Sequence, residues 1–193
     1  MTGYRWIPNE EIHALTLRVM GAFSHVQALI DNASRMFLRN RVPAASKVLE
    51  DLAIKRIQDR ERADLFLAIA AELATDAELD NFRAVFMRVK SVRDRAAHGS
   101  RFQADGTDRI EVQKTVLINR GDPPPAPTTI ERQELAAALR DCGWLESQVL
   151  YVQFASGILR PIEREALRFG VMKPPVQAEE WQGTTWRQLK SEN

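Results

Sequence analysis

The sequence has one cysteine, Cys142, three histidines, and a formal net charge of +1 from 27 Lys plus Arg against 26 Asp plus Glu. A single thiol cannot close an intrachain disulfide, so no covalent cross-link within the chain is expected. Charge this balanced provides no long-range field to recruit nucleic acid or a membrane, and contact with a polyanion would have to come from a local surface. Also missing is any apolar run near the roughly 18 residues that suggest a membrane span. The opening Met1-Thr2-Gly3-Tyr4-Arg5-Trp6 lacks the basic-then-apolar plan of a signal peptide. A soluble chain in the cytoplasm, without a membrane partner, is the expectation. No Cys-x-x-Cys pair, His-Glu-x-x-His or Gly-rich phosphate loop occurs, so no metal or cofactor is expected.

What is present reads mainly as helix. Hydrophobic residues make up 45% of 193 positions, enough for one domain with an apolar core. Ile12, Leu15, Val19, Phe23, Val26, Ile30, Ala33 and Phe37 recur at spacings of three and four, after a possible cap at Asn9 with acids at Glu10 and Glu11. Arg41-Val42-Pro43 interrupts this first helix. A second segment over about 46–57 carries Val48, Leu49, Leu52 and Ile57, and the polar run 58–62 separates it from a third helix through Leu65, Phe66, Ile69 and Leu73. A fourth, capped by Thr75 or Asp76, carries Leu79, Phe82, Phe86 and Val89, then Arg93 and Ala96, and ends at His98-Gly99, where glycine accepts the left-handed conformation.

The period then changes. Ile110, Val112, Val116 and Ile118 alternate with polar residues and Asp105-Gly106 is a turn signal, so a β-hairpin is expected over about 100–119. Residues 121–127 hold four prolines and form a stiff connector. A last long helix is expected from Thr128 or Thr129, through Leu135, Leu139, Cys142, Leu145, Val149, Val152 and Leu159, ending or kinking at Pro161. The expectation is therefore a mainly α bundle over 1–170 with a small hairpin inserted before the last long helix, followed by a C-terminal tail, 171–193, without sustained period.

One constellation suggests chemistry. Asp94 and His98 are i,i+4 neighbours, whereas Arg93 and His98 lie about 140° apart around the helix, both reachable from one cleft edge. The spacing lets the Asp94 carboxylate orient the imidazole. Cleavage of RNA without metal needs a proton acceptor or donor for the 2′-hydroxyl and the leaving 5′-oxygen, plus a cation for charge on phosphorus. His98 and Arg93 are residues of those kinds. Taken alone, an Arg–Asp pair beside a solvated terminal histidine accounts for the same residues with fewer assumptions.

Arg93-Asp94-Arg95-Ala96-Ala97-His98-Gly99 resembles the R-x4-6-H signature of the HEPN superfamily, with a polar residue after the Arg and glycine after the His. The likeness covers roughly 1–168 in architecture and 92–99 in specific residues. It implies an all-α HEPN-like bundle, a homodimer that brings two motifs together, and metal-independent RNA cleavage leaving a 2′,3′-cyclic phosphate. Arg93 would then bind or stabilise the phosphate, Asp94 support the site and His98 act as acid or base. Relatives include toxins and antiviral effectors, for which a protein antitoxin or nucleotidyltransferase is the implied partner, and also binding domains without demonstrated cleavage. Both readings stay open here.

Other residues favour plain explanations. His13 and His25 are about 120° apart on the first helix, unsuited to sharing a metal. Cys142 falls on an apolar stripe and reads as a small buried hydrophobe. Arg35, Arg39 and Arg41 complement the dipole at a helix end and are also able to meet phosphates. Trp181 and Trp186 read as anchors of the tail to the bundle or to a second subunit rather than as base-stacking groups.

Overall fold

The computed structural model describes residues 4, 7, 10–98, 101–105, 108–113, 126–158 and 169–188. Within them the chain forms α1 (Ile12–Arg41), α2 (Ser46–Leu52), a 3-10 turn (Ile54–Arg56), α3 (Asp59–Glu72) and α4 (Phe82–Ala97). After α4 come β1 (Arg101–Asp105), β2 (Arg109–Gln113), β3 (Thr128–Glu131), α5 (Arg132–Ala155), β4 (Phe169–Val171), a second 3-10 turn (Ala178–Glu180) and β5 (Trp186–Gln188). The fold is mainly helical, with a small antiparallel sheet between α4 and α5.

The stripe read along α1 is the one that packs: Ile12, Leu15, Val19, Phe23, Val26, Ile30 and Ala33 are buried. α5 lies against α1 and α4 and is enclosed on more than one face, since Trp144, Ser147 and Gln148 are buried with its apolar stripe. Aromatic rings link the helices, Phe23 meeting Phe86 at 5.0 Å between centroids and Phe66 meeting Phe82 at 4.7 Å. Such ring pairs add to the area they bury and fix how the helices face each other.

Several expected boundaries move, each for a local reason. The second helix stops at Leu52, and its apolar residues face outward, Val48 at 57% and Leu52 at 58% exposure; Ile54, on the 3-10 turn, points inward instead. The run 58–62 is not a spacer but the first turn of α3, where the Gln58 side chain and Glu61 form a reciprocal capping box and Asp59 and Glu61 meet the positive helix end. α4 starts at Phe82 rather than at Thr75 or Asp76: residues 75–79 form no secondary structure, and Leu79 packs on the core from that loop. Asn9, Gly99, residues 114–125 and Leu159 to Pro161 lie outside the described residues.

The hairpin of β1 and β2 forms with Asp105 opposite Arg109, and Ile110 and Val112 are buried as their alternation requires. A third strand joins it: 128–131 is strand rather than helix start, with Ile130 opposite Ile110, and α5 begins at Arg132. The β-branched run Thr128-Thr129-Ile130 suits an extended backbone, and Ile130 is buried with its partner. α5 stops at Ala155, and Gly157 supplies the positive φ of 69° that turns the chain away.

Residues 169–188 pack on the bundle. Trp144 donates its indole N–H to the Pro175 carbonyl at 2.7 Å, and Trp181 donates to the Ser147 hydroxyl at 3.1 Å. Gly143 makes that fit possible, since a Cβ there would sit within clashing distance of the Trp181 ring. Periodicity cannot forecast such a segment, because single contacts with α5 rather than repeating apolar residues hold it.

Candidate functional site

Phe86, Val89 and Arg93 follow one another by three and four along α4, so the arginine is aimed along the buried face. Its guanidinium lies 5.1 Å from the centroid of the Phe23 ring of α1, and its side chain is 22% exposed. A cation placed there is attracted to the ring face and still requires acceptors for its N–H groups. Two carboxylates supply them. Arg93 donates to Asp59 at 2.6 Å, and its other terminal nitrogen lies 3.0 Å from Asp94.

Asp59 opens α3, where unpaired backbone N–H groups favour a carboxylate. It also accepts from Arg62 at 2.7 Å and from the Gln27 amide of α1. Arg62 in turn donates to Asp31 of α1 at 2.7 Å. At the other end, Asp94 accepts from Lys90, one turn back on α4. The result is an alternating chain, Asp31, Arg62, Asp59, Arg93, Asp94, Lys90, in which three carboxylates balance three cations. It fastens α1, α3 and α4 to one another and gives the guanidinium one position.

His98 sits differently. It caps α4, its backbone N–H bonded to the Asp94 carbonyl at 3.0 Å, and it is exposed. Its imidazole has no hydrogen-bonded or ion-paired partner among the described residues. The structure thus joins Arg93 to Asp94 and records no contact from either side chain to His98. The i,i+4 spacing that predicts an Asp94–imidazole contact is used one turn earlier, by Lys90. Arg95, two residues beyond Arg93, donates to the Thr129 carbonyl at 3.2 Å and pairs with Glu134, tying the end of α4 to β3 and α5.

Sequence reasoning missed Asp59, Gln27 and Phe23 as parts of this site. A signal existed for Asp59: acids at 59 and 61, three residues before an apolar pattern, mark a helix start, and a helix start is where a carboxylate able to hold Arg93 would sit. Nothing in the sequence links Phe23 to Arg93, since that contact depends on how α1 and α4 cross.

The remaining candidates offer less chemistry. Cys142 is fully buried, and burial, followed by the charges of Asp141 and Glu146, pushes its thiol above the ordinary range, away from the reactive thiolate. His13 lies 3.4 Å from Glu11 and His25 lies 3.7 Å from Glu146, so the two imidazoles serve separate carboxylates. No group of three His, Cys, Asp or Glu is placed to hold a metal among the described residues. A groove of about 830 Å³ runs beside α5, lined by Ala136, Ala137, Arg140 and Trp181, and none of residues 90–98 lines it. Among the described residues, no helix is long and apolar enough to cross a membrane. Comparison with protein-family models, curated proteins and solved structures finds no match.

Proposed function

We propose that this chain is a metal-independent endoribonuclease of HEPN type, in which Arg93 binds the phosphate, His98 moves the protons and Asp94 supports Arg93. The observation that carries the reading is the end of α4: a guanidinium held by Asp59, followed five residues later by an exposed imidazole that no side chain among the described residues engages. Phosphate recognition benefits from a fixed planar donor set, and proton transfer needs an imidazole open to substrate.

The reaction sets the stoichiometry. The 2′-oxygen attacks phosphorus and its proton passes to a base, while the bond to the 5′-oxygen breaks and that oxygen takes a proton from an acid, leaving a 2′,3′-cyclic phosphate. One chain offers one imidazole at this site, so two copies supply base and acid together. Support for a homodimer comes from α2, which buries none of its own residues and exposes Val48, Leu49 and Leu52. On this reading the biological class is a toxin or antiviral effector, and an antitoxin or nucleotidyltransferase is its controlling partner.

A second reading has its own observation. Both terminal nitrogens of Arg93 are committed to carboxylates and the Asp94 carboxylate is engaged by Arg93 and Lys90, which suits a HEPN-like binding domain that does not cleave. Incubation with RNA in EDTA separates the two. Wild type should leave cyclic phosphate ends and His98→Ala none; intact RNA with wild type removes the enzymatic reading and keeps the binding one.

A further inference from the structure

The sequence as a whole is nearly neutral, yet residues 31–62 contain eight Lys or Arg against five Asp or Glu, a surplus of three. The surplus falls on residues outside the ion pairs, because most of the acids there are already engaged by other cations. Asp31 and Asp59 are held by Arg62 and Arg93, Glu50 by Arg39 and Asp51 by Lys55. Glu61 accepts from the Gln58 backbone N–H at 3.1 Å. Among the described residues Arg35, Arg41, Arg56 and Arg60 have no hydrogen-bonded or ion-paired side-chain partner, and Lys47 acts on Asp51 through charge alone.

Their positions relate to Arg93. Arg35 lies four residues past Asp31, about 6 Å along the axis, on the face of α1 that meets α3 through Gln27 and Asp31. Arg60 adjoins Asp59, the carboxylate that holds Arg93. Arg56 ends the 3-10 turn, with Ile57 and Gln58 alone between it and Asp59. Arg56 and Arg60 are exposed and Arg35 is half-buried, while Arg41, the last residue of α1, and Lys47, in α2, are also exposed.

We infer that these exposed cations, centred on Arg56 and Arg60 at the entry to α3, the helix whose first residue holds Arg93, bind the phosphate backbone of single-stranded RNA. The inference rests on the ribonuclease reading and adds to it the surface that carries the strand. Four of the five cations are arginine, whose planar fork matches phosphate oxygens and is not titrated away. Local cations of this kind are what a chain of nearly zero net charge requires in order to hold a polyanion.

The test is fluorescence anisotropy with a labelled 2′-O-methyl oligoribonucleotide, which lacks the attacking hydroxyl and so stays intact, titrated across a range of salt. Arg56→Gln/Arg60→Gln and Arg187→Glu change the charge equally, and all three positions are exposed, so the fold is retained, as circular dichroism would check. The double variant should bind about tenfold more weakly and flatten the log–log salt slope by about 1.4, from about 0.7 per lost phosphate contact. Arg187→Glu should bind like wild type. Equal binding by the double variant, equal loss in Arg187→Glu, or wild-type binding to anionic phosphatidylserine vesicles but not to the oligonucleotide overturns the inference. Binding through Arg56 and Arg60 with no cleavage of ordinary RNA in EDTA keeps this surface and removes the nuclease reading. Cleavage of ordinary RNA with oligonucleotide binding indifferent to the two arginines does the reverse.

Discussion

Arg93 of α4 and Asp59 of α3, 34 positions apart in sequence, meet at 2.6 Å, and the same carboxylate receives Arg62 and Gln27. The pair couples two helices at the point where the motif begins, so it belongs to folding and to the proposed chemistry together. Asp59→Asn keeps an acceptor but removes the charge from between two guanidinium groups. We expect it to cost about 1–3 kcal/mol in urea unfolding, the range for breaking a partly buried charge-assisted bond. Since both side chains act on one contact, the double variant Asp59→Asn/Arg93→Gln should cost clearly less than the two single losses added together. Strict additivity would show that the contact does not exist in solution.

His98 predicts the opposite profile. It is exposed and its side chain has no hydrogen-bonded or ion-paired partner among the described residues, so His98→Ala should stay within about 0.5 kcal/mol of wild type. Loss of stability well beyond that would show a structural role for the imidazole.

The outward face of α2 predicts association. Val48→Asp/Leu52→Asp places charge where both residues are more than half exposed, so the protomer should fold unchanged. Wild type should sediment as a dimer and the variant as a monomer. A wild-type monomer, or a dimer untouched by both substitutions, removes α2 as the contact between copies.

The helix readings succeeded where burial follows period. Ile12 through Ala33 on α1 and Leu135 through Val152 on α5 alternate at three and four and are buried as that spacing requires. They failed where a few polar contacts outweigh period. Residues 58–62 look like a spacer because their side chains are charged, yet those charges cap α3 and bind Arg93 and Arg62. Thr128 and Thr129 look like caps, yet β2 offers them a strand to pair with. In the candidate site, the motif residues themselves were legible, because they are contiguous. Asp59 and Phe23 were not, because they reach Arg93 only through the crossing of α1, α3 and α4.

Trp181 offers a test of the C-terminal packing. Gly143→Ala should destabilise by about 1–3 kcal/mol, since the added methyl meets the indole ring and either Trp181 or the backbone of α5 must shift. The tryptophan emission should move to the red as the ring loses its seat. Unchanged emission and stability would mean that 181 does not rest on α5.

A pH dependence follows from Asp141, which is 1% exposed between Arg88 and Arg140. Burial raises its pKa above the ordinary 3.8, and the two arginines offset part of that rise. A carboxyl with a raised folded-state value binds more protons folded than unfolded, so it favours the fold at low pH and loses that contribution as pH rises from the unfolded value through the folded one. The stability of wild type relative to Asp141→Asn should therefore decline across that window and then level off. A difference that grows with pH would reverse the assignment.

Ribonuclease chemistry at the end of α4 is read from the ends of RNA left after incubation in EDTA with wild type and with His98→Ala at matched folded concentration. Wild type should leave 2′,3′-cyclic phosphate termini and the folded variant intact RNA. Equal cleavage by the two proteins, or none by wild type, would rule out His98 as the group that moves the protons.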